Sequence, residues 1–404
     1  MHVCMLAYSF YENDPRVQQY ATALVGRGDS VDVICLKREN QPCRSIVDGV
    51  NVHRIQSRRR DERGRLIYLY RVALFLFRSA IALTLKHFAR PYQLVHIHSV
   101  PEYLVFAAVA PKLFGVPVII DIHDILPEFY SSKFNISHDS LTFKLLVLLE
   151  RWSLAFADHV IVANHIWERR LLTRSVAADK CTTICNHPDP QLFFPRSRNR
   201  SDGKFIITYP GTLNWHQGLD IAIKAFAHVA EQVPSAEFHI YGEGPAQQAL
   251  KTLALQLGLK EKVKFHAFLP RQEVAELMAQ ADVGVEPKIA SSPFGNEACS
   301  TKIPEFMALH VPVVASRTAA HTYYFNDSIV KFFESDSESD LAGCLLSLKR
   351  DTALRERLVS NAATYVRENN WNVMKHEYLE LVDALVEEKV KARATRTHSL
   401  GRVL

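Results

Sequence analysis

Two glutamates, Glu297 and Glu305, stand with seven residues between them, and Ser300-Thr301-Lys302 lies midway. The run Ile303–Leu309 reads as a short helix, with Pro304 in its first turn, where a missing N–H costs little. Ser300 or Thr301 can cap it. A helix start carries unpaired N–H groups and partial positive charge, which suits a phosphate. Lys302 adds a full charge and three donors. Carboxylates on either side can accept hydrogen bonds from hydroxyls. A diphosphate held centrally, with a polyol at each end, describes a nucleotide sugar: ribose near one glutamate and hexose near the other.

The elements that must position these groups alternate strand and helix over most of the 404 residues. His2–Ala7 reads as a buried strand. Asp14 follows as an N-cap with Pro15 at the first helical position, and Val31–Leu36 is a second strand. In such β-loop-α-β folds, ligands lie beyond the carboxyl ends of strands. Arg16, at the first helix start, either holds a diphosphate or acceptor or simply faces solvent. Further strands are read at Gly49–Ile55, Leu94–Ile97, Val116–Asp121, His159–Ala163 and Lys180–Ile184. Asp121–Phe129, DIHDILPEF, opens at a strand end and offers His123, Asp124 and Glu128 to a sugar or acceptor. A turn-rich stretch at Cys185–Pro195 and a polar, basic one at Arg196–Lys204 separate two halves. The second half opens with a strand at Phe205–Tyr209. PGTLNWHQGLD follows, where Gly211 and Gly218 let the backbone approach a ligand.

With these motifs in view, the chain resembles the retaining glycosyltransferases of family 4, of the bacterial surface-polysaccharide type. The Glu297-x7-Glu305 spacing, Phe306-Met-Ala-Leu and Val311-Pro-Val-Val-Ala-Ser316 carry the likeness. Gly242-Glu-Gly-Pro245 and the hinge-like Cys185–Pro195 support it. The resemblance implies an α/β GT-B fold, in which two Rossmann-like, doubly wound domains face across a cleft. Its boundaries fall at 1–190 for the acceptor-side domain, 200–370 for the nucleotide-sugar domain, and 371–391 for a terminal helix returning to the first. Residues 392–404 read as a basic, disordered tail.

The implied reaction moves a hexose from a nucleoside-diphosphate sugar, UDP by family frequency, to an acceptor hydroxyl with retention of configuration. His123, Glu297 and Lys302 are the implied catalytic groups. Gly211, Thr212, Asn214, Gln217, Gly242, Phe268, Ser300, Thr301 and Glu305 are the implied donor contacts, with Arg16 beside them. The family pattern departs at Thr212 and Gln217, where an Arg and a Lys are usual. Lys302, helix-terminal amides, and His216 or Arg16 are then left to hold the diphosphate. No Asp-x-Asp stands at a strand end, so no metal cofactor is expected. Two alternatives stay open: a nucleotide-sugar hydrolase or epimerase, and a catalytically silent adaptor of the same fold.

Composition narrows the compartment and the partners. The net charge of +5 is mild, and no nucleic-acid partner is expected. Seven cysteines are scattered without C-x-x-C spacing, which suits a reducing interior. The first ten residues are too short and uncharged for a signal peptide, and no unbroken run of 18 apolar residues marks a membrane span. Leu66–Phe88 is strongly apolar, and Arg71, Arg78 and Lys86 share its polar face. Arg54, Arg58, Arg59, Arg60, Arg63 and Arg65 precede or open it. It either lies against a membrane, giving peripheral contact through 57–90 with a lipid-linked or glycan acceptor, or packs as a domain helix. The expected location is cytoplasmic, on the inner face of the cell membrane.

Overall fold

A computed structural model describes residues 1–58, 65–134, 136–198 and 200–400. Arg59, Arg60 and Arg63 of the basic lead-in lie outside the described residues. The chain folds as two units, Met1–Cys185 with Met374–Leu404, and Asn186–Val373.

The first unit is built on eight strands: β1 His2–Ala7, β2 Ser30–Lys37, β3 Arg44–Val47, β4 Val50–Ser57, β5 Leu94–His98, β6 Val118–Ile122, β7 His159–Val162 and β8 Cys181–Thr183. Their order in the sheet is β3-β4-β2-β1-β5-β6-β7-β8. The ladder is parallel except for β3, which pairs antiparallel with β4. The sequence reading missed β3. Asp48 and Gly49, at φ 49° and 79°, form the two-residue turn that makes this hairpin. Every residue of β1, β5 and β6 is buried, as parallel strands covered on both faces must be. The expected cap holds: the Asp14 side chain accepts from Val17 N, with Pro15 opening the helix Pro15–Gly26.

The terminal helix Trp371–Leu400 runs past the expected end at Lys391, through positions read as an irregular tail. Its docking is concrete within this unit. Tyr378 Oη lies 3.0 Å from His96 Nδ1, and Lys389 Nζ donates to Asp158 at 2.9 Å.

The second unit carries six strands: β9 Phe205–Pro210, β10 Ala236–Tyr241, β11 Val263–His266, β12 Val283–Glu286, β13 Val313–Ser316 and β14 Lys331–Phe333. All pair in parallel, in the order β11-β10-β9-β12-β13-β14. This is the dinucleotide-fold order. Its reversal point, between β9 and β12, is where such sheets open a crevice at the strands' carboxyl ends. Phe226, Phe238, Ile207 and Val285 belong to one core cluster of this unit, and Phe306, Met307, Met278 and Val313 to another. The second holds the helix Lys302–Ala308 against the strands through Ile303, Phe306 and Met307, all buried.

Candidate active site

The reversal point of the second unit gathers most of the sequence-derived donor residues. Strand β12 ends in Glu286, whose side chain is wholly buried. Lys302 Nζ lies 3.2 Å from both of its oxygens, and sits over the Tyr209 ring at 5.0 Å. The backbone around the lysine is packed to its limit. A Cβ on Gly211 would stand 2.5 Å from Lys302 Cε, one on Gly242 would be 1.9 Å from Gly211 O, and one on Gly218 would be 1.9 Å from Pro287 O. Three loops at strand ends therefore touch backbone to backbone, which only glycine permits.

The helix starts differ from the sequence reading in one respect. Thr301 occupies the cap position of Lys302–Ala308, but no side chain caps it. Ser300 Oγ instead accepts from Lys302 N at 3.2 Å, and Thr301 is exposed. A seven-residue helix has a weak dipole. The fourteen-residue helix Leu219–Gln232 follows directly on the 211–218 loop, with Gly218 as its cap residue at φ 68° and no side-chain cap on its first amides.

Charge at this point comes from an unexpected pair. Lys288, read from sequence as the start of a flexible loop, is buried, and its Nζ donates to Ala298 O at 2.8 Å. Burial pushes the Glu286 carboxyl up, yet Lys302, Lys288 and His321 together with the Ser300 hydroxyl hold it below the usual carboxylate value. His216, a candidate replacement for the absent Arg and Lys, is driven down to about 4 by burial and by the two lysines. It is neutral near pH 7 and adds no charge. His321 falls to about 4 for the same reasons, and donates through Nδ1 to Ser316 O at 2.8 Å. Two ammonium groups against one carboxylate leave a net single positive charge.

The remaining candidates divide. Glu305 is pushed up to about 7 by burial, against the opposing charge of Arg271, whose Nη2 is 3.7 Å away. Glu297 ends the helix Pro293–Glu297, half-buried, beside Asn296, whose Oδ1 accepts from Ala319 N at 2.7 Å. Gln217 is buried beside His216, 3.3 Å apart through their Nε2 atoms, with no hydrogen-bond partner for its own Oε1. Asn214 is half-buried, while Thr212 and Phe268 are exposed.

The first unit brings its own candidates together around Asp121, at the end of β6. Arg16 is neither solvent-facing nor free for a diphosphate. It is buried, and donates through Nε and Nη2 to the two Asp121 oxygens at 2.8 and 2.7 Å. His98 Nδ1 and His123 Nε2 lie 3.1 and 2.9 Å from Asp121 Oδ2. Burial pulls His123 down, but the Asp121 carboxylate raises it above the ordinary histidine value overall. Its backbone N donates to Ser99 Oγ at 3.1 Å, which fixes the ring's origin.

His96, His98 and Asp121 are close enough to share a metal ion. The Arg16 guanidinium already occupies the carboxylate, and its charge repels a second cation. Glu128, a candidate for acceptor binding, is instead buried between two arginines. Arg174 Nη1 and Nη2 donate to it at 2.6 and 2.9 Å, and Arg170 Nη1 at 3.1 Å. Asp124 is half-buried.

Sequence reasoning thus missed Glu286 and Lys288, and gave Asp121 no role beyond opening the strand-end stretch. One signal was available: each is a charged residue within two positions of the end of an otherwise apolar parallel strand.

Comparison with known proteins supplies the family. Residues 14–187 match the glycosyl transferase 4-like domain, and residues 191–365 match glycosyl transferases group 1. The D-inositol 3-phosphate glycosyltransferase of Thermomonospora curvata is 25% identical over 90% of this chain and 88% of its own length. A putative colanic acid biosynthesis glycosyltransferase, WcaL of Escherichia coli, is 26% identical over 50% of this chain, which spans about half, 47%, of that relative. Among solved structures, sucrose-phosphate synthase from Thermosynechococcus elongatus superposes with a TM-score of 0.79 at 19% identity, covering 96% of this chain and 100% of that one. Anabaena HepE in complex with UDP and glucose gives 0.72 at 18%, covering 95% and 100%. With two matched domains spanning nearly the whole chain and two Rossmann-like sheets to house them, the protein belongs to the group 1, GT4-type glycosyltransferases of GT-B fold.

Proposed function

We propose that the enzyme transfers a hexose from a UDP-sugar, with retention and without a metal, to a hydroxyl of a lipid-linked or polysaccharide-precursor glycan. The observation that carries this reading is the Lys302–Glu286–Lys288 group at the reversal point of the second sheet, walled by glycines that admit no side chain. One net positive charge and the open amides of helix Leu219–Gln232 suit a diphosphate. The family's Arg and Lys are absent at Thr212 and Gln217, and Lys288 and Lys302 take their place.

Glu305 receives the ribose hydroxyls, and Glu297 those of the transferred sugar. Ser300, Thr301, Asn214, Gln217, Gly242 and Phe268 complete the donor contacts. His123 donates a hydrogen bond to the sugar and steadies positive charge as it develops at the ring; Arg16 acts only by holding Asp121. In the transfer step the anomeric C–O bond to the diphosphate breaks. The acceptor oxygen bonds to the same face, and its proton passes to the departing phosphate oxygen. UDP and glucose in the Anabaena HepE complex support the donor, and the colanic acid relative supports the acceptor class. The site of action is the cytoplasmic side of a membrane, contacted peripherally through 57–90.

A thermal-shift panel of UDP, GDP and ADP and their hexose conjugates, with and without magnesium, tests this. A ligand at 100 times its Kd adds about 2.7 kcal/mol to the folded state. A magnesium-independent shift with UDP is expected, together with loss of transfer in Glu297→Ala. No shift with any nucleotide, or wild-type turnover in that variant, would overturn the reading. Free sugar released without acceptor would point to a hydrolase.

A further inference from the structure

The helix Arg65–Ala89 contains a segment, Ile67–Ala89, that is long and apolar enough to cross a membrane by length and composition, with mean hydropathy 1.5. It does not stand free. Val72, Phe75 and Leu83 are fully buried and form an inward stripe at helical spacing. A second apolar stripe points the other way: Phe77, Leu85 and Phe88 are 65%, 65% and 62% exposed. A globular helix ordinarily carries polar residues there.

Two neighbouring helices repeat the pattern. The crossovers from β4 to β5, β5 to β6 and β6 to β7 all step the same way across the sheet, so right-handed connections lay them on one side. Ring contacts tie this layer together, Phe88 to Phe114 at 5.2 Å and Phe106 to Phe156 at 5.3 Å. Leu113, on helix Val109–Leu113, is 81% exposed. Leu141 and Trp152, on helix Leu141–Phe156, are 73% and 59% exposed.

The exposed charge of these three helices has one sign, the exposed Asp139 lying just before the third. Residues 65–92, 109–117 and 141–156 contain one acidic residue, Glu150. That residue is buried and bonded to Arg174 Nη2 at 2.6 Å. Arg78, Lys144 and Arg151 are exposed. Lys86, expected on the polar stripe, is drawn away, with Nζ 3.1 Å from Asp32.

We propose that these three helices form one docking face for an anionic lipid bilayer, lying in the interface with Phe77, Leu85, Leu113 and Trp152 inserted and Arg78, Lys144 and Arg151 on the headgroups. This deepens the peripheral contact of the functional reading, and it moves that contact from a single helix with its basic lead-in to a three-helix surface. Charge selects the occupant. A second copy of the same face would set basic residues against basic residues, whereas anionic headgroups neutralise them. The inward stripe rules out a span, because insertion of helix 65–89 would strip it from the sheet.

Sedimentation of the full chain with phosphatidylglycerol-rich vesicles, and with pure phosphatidylcholine vesicles, tests the face. Wild type is expected to partition onto the anionic vesicles and to be released by salt. Arg78→Ala/Lys144→Ala/Arg151→Ala should lower that partition about tenfold or more. Phe77→Ser/Leu85→Ser/Leu113→Ser should abolish it, and both variants should keep the wild-type melting temperature. Equal partition of wild type and variants, or no preference for anionic vesicles, overturns the proposal. A dimer in sedimentation velocity that the apolar variant dissociates, with no vesicle binding, assigns the face to a second copy instead. Nucleotide-induced thermal shifts, recorded on the same samples, separate the two readings. Vesicle binding without nucleotide binding would sink the transferase assignment and leave the docking face standing.

Discussion

Lys302 pairs with the buried Glu286, and under the proposed function it also binds the donor; the two roles can be pulled apart. Removing the lysine alone takes away the first of the charges that hold a buried carboxylate and leaves it to Lys288 and Ser300, which costs up to about 3–5 kcal/mol. Lys302→Met is therefore expected to lower the melting temperature and to lose donor binding. Adding Glu286→Gln removes the orphaned charge. The double variant should regain most of the stability, yet still bind no nucleotide diphosphate. Recovery of donor binding in the double variant would show that Lys302 does not touch the diphosphate.

Glu305 gives a pH signature. Burial raises its carboxyl to about 7, so between its ordinary value near 4.5 and 7 the folded state keeps a proton that the unfolded chain has lost. Its contribution to stability is full below about 4.5 and falls away as pH rises through about 7. If the ionised carboxylate holds the ribose, donor affinity runs the other way and strengthens as pH rises through about 7. Titration calorimetry with UDP across this range should show that slope in wild type and none in Glu305→Gln. A wild-type affinity flat in pH removes the ribose role.

At the scale of elements, the reversal-point loops depend on glycine where nothing else fits. Gly218 combines φ 68° with a Cβ position 1.9 Å from Pro287 O, so both conformation and space exclude a side chain. Gly218→Ala is expected to cost about 1–3 kcal/mol and to displace the start of helix Leu219–Gln232, weakening donor binding. Gly343, inside helix Glu338–Arg350, has open space where a Cβ would go. Gly343→Ala should add about 0.5–1 kcal/mol and leave turnover unchanged. Chemical denaturation of the two variants checks both signs. If both behave alike, the packing argument for the donor loop fails.

At the scale of the whole molecule, the last thirty residues complete a unit begun by the first. Tyr378 is buried, packs on the Tyr20 ring at 4.2 Å between centroids, and meets His96 Nδ1. Tyr378→Phe removes one hydrogen bond and should cost about 1 kcal/mol. Tyr378→Ala also opens a cavity and should cost about 3–5 kcal/mol. Urea unfolding read by a probe in unit 1 distinguishes them; equal, negligible losses would mean the helix only rests on the surface.

Legible along the chain were the strand-helix alternation, the first sheet's main strands, the glycines of the 211–218 loop, and the Glu297–Lys302–Glu305 spacing that led to the family. These are local signals: periodicity, caps, breakers and short motifs act over a few residues. Tertiary structure alone decided which charges are spent and which remain. Arg16 and Asp121 are 105 positions apart, Lys86 and Asp32 54, and Lys302 and Glu286 16. A charged side chain looks the same in sequence whether it faces solvent or neutralises a buried partner. Only the sheet order, which brings distant strand ends together, shows that Arg16 is committed, that His216 is neutral, and that Lys288 stands with Lys302.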